Sequence, residues 1–114
     1  MKSKKFLNSI SKSLSTRGFR YVELNTVISL DYINRKTSDN FRNSMFTFTN
    51  KSNEFALRSD LSVMSLLKYV ESGSKKKAKW WYQGEVFRRN ENNESPVYNQ
   101  LGFEILGSTN QKKD

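Results

Sequence analysis

A chain of 114 residues holds one domain with one modest core, and two Trp, five Tyr and eight Phe supply enough large apolar side chains for it to be globular. It has neither cysteine nor histidine, which excludes disulfides, thiolate chemistry, histidine-based triads and the common zinc sites. Twenty Lys and Arg against eleven Asp and Glu leave a charge of +9, which suits a polyanion such as RNA, a nucleotide or an acidic protein face, and equally a solvated lysine-rich surface.

No apolar run approaches the ~20 residues of a membrane span. "MKSKKFLNSISKSLS" is basic but lacks the apolar stretch and cleavage site of a secretory signal, so a cytoplasmic protein is expected. Within it Phe6, Ile10 and Leu14 recur every four residues beside Leu7, which predicts a helix with one apolar stripe that stops at Gly18. "GFRYVEL" reads as a strand, followed by a short helical stretch holding Ile28, Tyr32 and Ile33 and by a polar loop, "TSDNFRNS". "MFTFTNKSNEFALR" predicts a β-hairpin turning through Asn50, Lys51, Ser52 and Asn53. Asp60 or Ser59 can cap the next helix, whose apolar residues are Leu61, Met64, Leu67 and Tyr69, and Glu71-Ser72-Gly73-Ser74 ends it. Two long strands, "WYQGEVFRR" and "NQLGFEILG", close the chain and flank the polar loop "NENNESP". The order predicts an α+β fold: an antiparallel sheet with helices on one face, and residues 1–114 as a single domain without repeats or a proline-rich linker.

Side chains alternate along a strand. Trp80, Tyr82, Gly84, Val86 and Arg88 therefore share one face of the first long strand. On the second, Gln100, Gly102 and Glu104 face one way and Leu101, Phe103 and Ile105 the other. The apolar side reads as the surface for helices to cover. The other reads as a shallow polar floor, with Gly84 and Gly102 leaving room for a ligand against the backbone. An arginine fork there suits a phosphate or carboxylate, and a carboxylate with an amide suits a cationic or hydrogen-bonding small molecule. The plainer alternative is an ordinary solvated sheet face, with Arg88 and Glu104 as a surface ion pair worth little.

"LRSDLSVMSLLKYV", "WWYQGEVFRRNE" and "YNQLGFEILG" together resemble the class II histidyl-tRNA synthetase catalytic core. They are still more similar to its paralogue, the regulatory subunit of ATP phosphoribosyltransferase in histidine biosynthesis. "GFRYVELNTVISLDYI" resembles the first class II motif, which in that family builds the dimer interface. The resemblance runs over about residues 5 to 108 and implies a partial class II aminoacyl-tRNA synthetase-like core with motifs 1 and 2. It implies roles for four residues. Arg88 matches the arginine that holds the α-phosphate of ATP, and Gln100 and Glu104 match the residues that hold histidine. Asp60 falls where the synthetase has a glutamate for the α-amino group.

Several positions depart from the family pattern. Ser59 replaces a proline, Asn25 the proline of the first motif and Asn90 a glutamate of the second, while Pro96 stands where an arginine is expected. The glycine-rich third motif and the C-terminal domain are expected to be absent, so the chain is not expected to activate an amino acid by itself. The resemblance thus implies a non-catalytic regulatory subunit that binds histidine, partners the catalytic subunit of ATP phosphoribosyltransferase, assembles as a homodimer or hetero-oligomer, and needs no cofactor or metal. The alternative is a fragment of a histidine–tRNA ligase, which would use ATP and Mg and bind tRNA. A third reading is a basic RNA-binding module, in which aromatics of "KKKAKWW" stack on bases, although Trp80 and Trp81 fit a strand's packing pattern better.

Overall fold

The computed structural model describes residues 2–37, 43–90 and 95–107. Most of the loop read after the short helix, and most of "NENNESP", lie outside the described residues. Helix α1 spans Lys2–Thr16 and its apolar stripe is only partly covered: Leu7, Ile10 and Leu14 are half-buried while Phe6 is 60% exposed. Gly18 ends it with a left-handed φ of 88°, and Phe19 N–H bonds back to Leu14 O at 2.9 Å.

The strands form two three-stranded sheets. In the first the order is β1 (Arg20–Tyr21), β5 (Ala78–Phe87), β6 (Val97–Leu106), and in the second β2 (Val27–Ser29), β4 (Asn53–Leu57), β3 (Thr47–Asn50). The antiparallel expectation holds for β5–β6 and for the hairpin β3–β4, whose turn is Lys51–Ser52 with Lys51 at φ 61°. It does not hold for β1, a two-residue strand that runs parallel to β5 through Arg20↔Trp80 and Tyr21↔Trp81. More than fifty residues separate these strands, enough for the crossover that a parallel pair requires. Ile28 also departs from expectation. It lies in β2, paired with Ala56 of β4, and helix α2 (Leu30–Lys36) begins only after Ser29, whose hydroxyl accepts from Tyr32 N–H. The β-branched pair Val27-Ile28 beside an open edge of β4 outweighs the i, i+4 spacing to Tyr32.

Helix α3 (Leu61–Ser72) follows its sequence signals. Asp60 is the N-cap and Gly73, at φ 71°, the C-cap. Leu61 and Met64 are buried in a core with Val22, Leu24, Ile33, Met45, Ala56, Tyr82 and Val86. The helix therefore packs on the β5–β6 face that carries Tyr82 and Val86, together with Gln100 and Glu104. The expectation about faces is thus reversed. The face with the polar residues is the one a helix covers, whereas Leu101, Phe103 and Ile105 on the other are 38%, 57% and 53% exposed. The reversal is tolerated because Gln100 and Glu104 each meet at least one donor from the first turn of α3, Leu61 N–H and Ser62 Oγ. Trp81 is buried beside Tyr21, with ring centroids 4.7 Å apart, and Trp80 packs edge-on against Tyr69. Trp81 is therefore not a free stacking platform, while Trp80 is half-buried.

Candidate functional site

The four residues singled out from the sequence converge on one short turn, Ser59 to Ser62, at the start of α3. Asp60 Oδ1 accepts from Ser62 N–H at 2.9 Å, satisfying one of the unpaired donors of the first helical turn. Gln100, reaching across from β6, accepts the Leu61 N–H on Oε1 at 2.8 Å. A backbone N–H can only donate, so the orientation of the Gln100 amide is fixed, and among the described residues its Nε2 has no acceptor. Glu104 takes two hydroxyl donors, Ser62 Oγ and Tyr82 OH, each at 2.7 Å. Both fall on Oε2, and among the described residues Oε1 accepts nothing. Arg88 Nε donates to Ser59 O at 2.7 Å, with its guanidinium carbon 5.6 Å from the Tyr98 ring centroid.

The register explains the gathering. Gln100 lies opposite Gly84, Gly102 opposite Tyr82 and Glu104 opposite Trp80, so the polar residues of β6 and the aromatics of β5 alternate on the side facing α3. No ion pair joins Arg88 to Glu104; among the described residues the ion pair is Arg35–Asp31 on α2. The surface-pair alternative therefore does not describe these two groups. Burial, followed by the bond to Glu104, pushes the Tyr82 phenol up to about 12, so it is a firm proton donor to the carboxylate at neutral pH. Ser59 is buried and, among the described residues, its hydroxyl has no partner, an exception where most buried hydroxyls are bonded.

The glycines do not leave the room expected of them. A Cβ on Gly84 would stand 2.6 Å from Nη2 of Arg58, and one on Gly102 would stand 2.9 Å from the Tyr82 ring. Both spaces are filled by the protein's own side chains. Sequence reasoning missed Ser62, Tyr82 in its bonding role, and Arg58. Once the strands are in register Tyr82 can be found, since it sits one alternation from Trp80 on the face of Glu104. Nothing local marks Ser62 or Arg58.

A groove of about 650 Å³ opens beside α3, lined among others by Arg20, Leu24, Tyr32, Met64, Glu71 and Trp80. It touches none of the four residues above, and neither does a second groove of about 440 Å³ beside Ser29, Asp31 and Glu54. Among the described residues no cluster could hold a metal ion, and no helix is long and apolar enough to cross a membrane.

Helices pack on two three-stranded, largely antiparallel sheets, and the solved structures that share this fold are class II aminoacyl-tRNA synthetase-like cores, of which the chain covers a part. Two solved structures are similar over nearly the whole chain. The pyrrolysyl-tRNA synthetase of Desulfitobacterium hafniense matches at TM-score 0.69 and 18% identity, over 95% of this chain and 38% of that one. An ATP phosphoribosyltransferase regulatory subunit/histidyl-tRNA synthetase from Bacillus halodurans matches at TM-score 0.72 and 18% identity, over 93% of this chain and 28% of that one. The chain thus spans about a third of the length of these structures. No curated protein matches it. Residues 1–114 match the histidyl-tRNA synthetase family, and the chain belongs to that family.

Proposed function

We propose that this chain is a histidine-binding, non-catalytic regulatory subunit of an ATP phosphoribosyltransferase, or the corresponding part of one, acting through the catalytic subunit as partner. The observation that carries the reading is the segregation of donors and acceptors around the Ser59–Ser62 turn. Gln100, its oxygen held by Leu61 N–H, offers amide donors, and Glu104, with Oε2 taken by two hydroxyls, offers Oε1 as an acceptor. A ligand with a carboxylate at one end and a cationic or N–H donor group at the other matches that arrangement, and histidine is such a molecule. Asp60, Gln100 and Glu104 would contact histidine, and Arg88 a carboxylate or phosphate. The departures at Asn90 and Pro96 favour the regulatory reading over ATP chemistry.

A thermal melt with free histidine tests this. At a hundredfold excess over its dissociation constant histidine should stabilise the folded chain by about 2.7 kcal/mol, and Glu104→Ala should remove most of that gain. No shift in the intact chain would leave a shared fold without a retained pocket. The chain should support no histidine-dependent pyrophosphate exchange; exchange that vanishes in Arg88→Ala would favour the tRNA-ligase reading. Assembly as a homodimer or hetero-oligomer is part of the proposal, and sedimentation at tens of micromolar measures it.

A further inference from the structure

We infer that Arg58 is a positioning residue for this site, and that Gly84 is a glycine because the Arg58 guanidinium occupies the space a side chain would take. Arg58 Nε donates to Glu85 O at 2.7 Å and Nη1 to Leu24 O at 2.7 Å. Its own N–H bonds to Thr26 O at 2.9 Å, and its carbonyl accepts from Phe87 N–H at 3.0 Å. Through these bonds one residue joins the connector between β1 and β2 to β5, at the junction of the two sheets. The side chain spans carbonyls in two segments that are otherwise joined nearer β1, by Val22 N–H to Trp81 O at 3.0 Å. A guanidinium fork can reach both at once, whereas an ammonium is a single point of charge on a flexible stem.

The site lies immediately beyond this clamp in two directions. Along the chain, Arg58 is followed by Ser59, whose carbonyl holds Arg88, and by Asp60, which caps α3. Across the sheet, Gly84 lies directly opposite Gln100, whose oxygen holds Leu61 N–H. A Cβ at Gly84 would come within 2.6 Å of Nη2, closer than side-chain carbons pack. Since that atom ends a flexible side chain, the contact would be relieved by moving the guanidinium off its carbonyls. Gly84→Ala should therefore act as a lesion of Arg58.

The binding arm of the test rests on the histidine-pocket reading; the exchange arm does not. Arg58→Lys, Gly84→Ala and the double variant are titrated calorimetrically with free histidine, at a temperature where circular dichroism shows each to be folded. Exchange of the Leu61 amide is followed by NMR in the same samples without ligand. Each single variant should weaken histidine binding about tenfold or more, because sites lose affinity steeply when their support shifts by fractions of an ångström. The double variant should be no weaker than the worse single within about twofold, since both changes remove one clamp. Leu61 exchange should quicken in all three. A residue with only a structural role would lower the melting temperature, leave affinity unchanged in folded protein and quicken exchange of the β5–β6 amides as much as that of Leu61, so Leu61 exchange is read relative to those amides. Folded Arg58→Lys with parental affinity and parental Leu61 exchange overturns the inference, as do losses that multiply in the double variant. Should Arg58→Lys not fold, Gly84→Ala interrogates the same contact. If the parent chain takes up no histidine the pocket reading fails, and Leu61 exchange alone decides for or against positioning.

Discussion

The two faces of the β5–β6 ribbon invert the usual expectation. The face bearing Gln100, Glu104 and Arg88 lies against α3, and the face bearing Leu101, Phe103 and Ile105 is largely open. Burial here follows complementarity with the covering element rather than the polarity of the strand. A carboxylate under a helix is tolerable when two hydroxyls meet it, and an amide when a helical N–H does; without those partners each would cost of the order of 1–3 kcal/mol. A polar row on a strand is thus compatible with a covered face wherever the covering helix presents its own first turn.

The contrast can be broken by substitution, and the largest effect should come from the covered side. Leu61→Ala, at a residue 1% exposed, should cost about 2–5 kcal/mol in urea unfolding. Gly102→Ala should cost about 1–3 kcal/mol, because the added methyl meets the Tyr82 ring and must push it off Glu104. Alkaline pH probes the same contact. Tyr82 holds its proton to about 12 when folded against 10.0 in the unfolded chain, so the folded state binds more protons across that interval. Its stabilising contribution is complete below pH 10 and is lost as the pH rises towards 12. Tyr21 and Tyr32, also raised chiefly by burial, act in the same direction. Tyr82→Phe should therefore flatten the alkaline fall in stability without abolishing it, as pH-dependent denaturation would reveal.

Asp60 sharpens the comparison by separating cap from ligand contact. Asp60→Ala should cost about 1 kcal/mol of stability, while Asp60→Asn, which caps as well, should cost a few tenths at most. If the carboxylate also meets the ammonium of histidine, Asp60→Asn should weaken binding while the melting temperature without ligand stays put. The smallest effect belongs to the open face. Ile105→Ala should change stability by less than about 1 kcal/mol, since the side chain is 53% exposed. A loss there equal to that of Leu61→Ala would mean that the open face is covered in solution.

What the sequence disclosed tracks the distance over which each feature is decided. The start of α3 at Ser59 or Asp60, its stop around Gly73, the hairpin turning between Asn50 and Asn53 and the pairing of the two long strands rest on neighbouring residues and could be read directly. The strand at Val27–Ser29 could not, because it exists only against β4 some thirty residues later. The parallel pairing of β1 likewise depends on β5. For the site, the residue types and their alternation named Asp60, Arg88, Gln100 and Glu104, but not what surrounds them. The roles of Tyr82, Ser62 and Arg58 depend on contacts 22, 42 and up to 34 residues away in the chain, and no local pattern encodes those.

Among the described residues β6 is the outer strand of its sheet. Its ten residues, Val97–Leu106, contain neither lysine nor proline, and Glu104 is its one charge. Those are the residues with which proteins ordinarily blunt such a margin, so this strand offers a row of backbone donors and acceptors next to an apolar surface. Handling of the protein follows from that. Concentrated solutions should tend to associate strand to strand, and a lysine placed on the open side of β6, as in Phe103→Lys, should keep the chain soluble at concentrations where the parent precipitates.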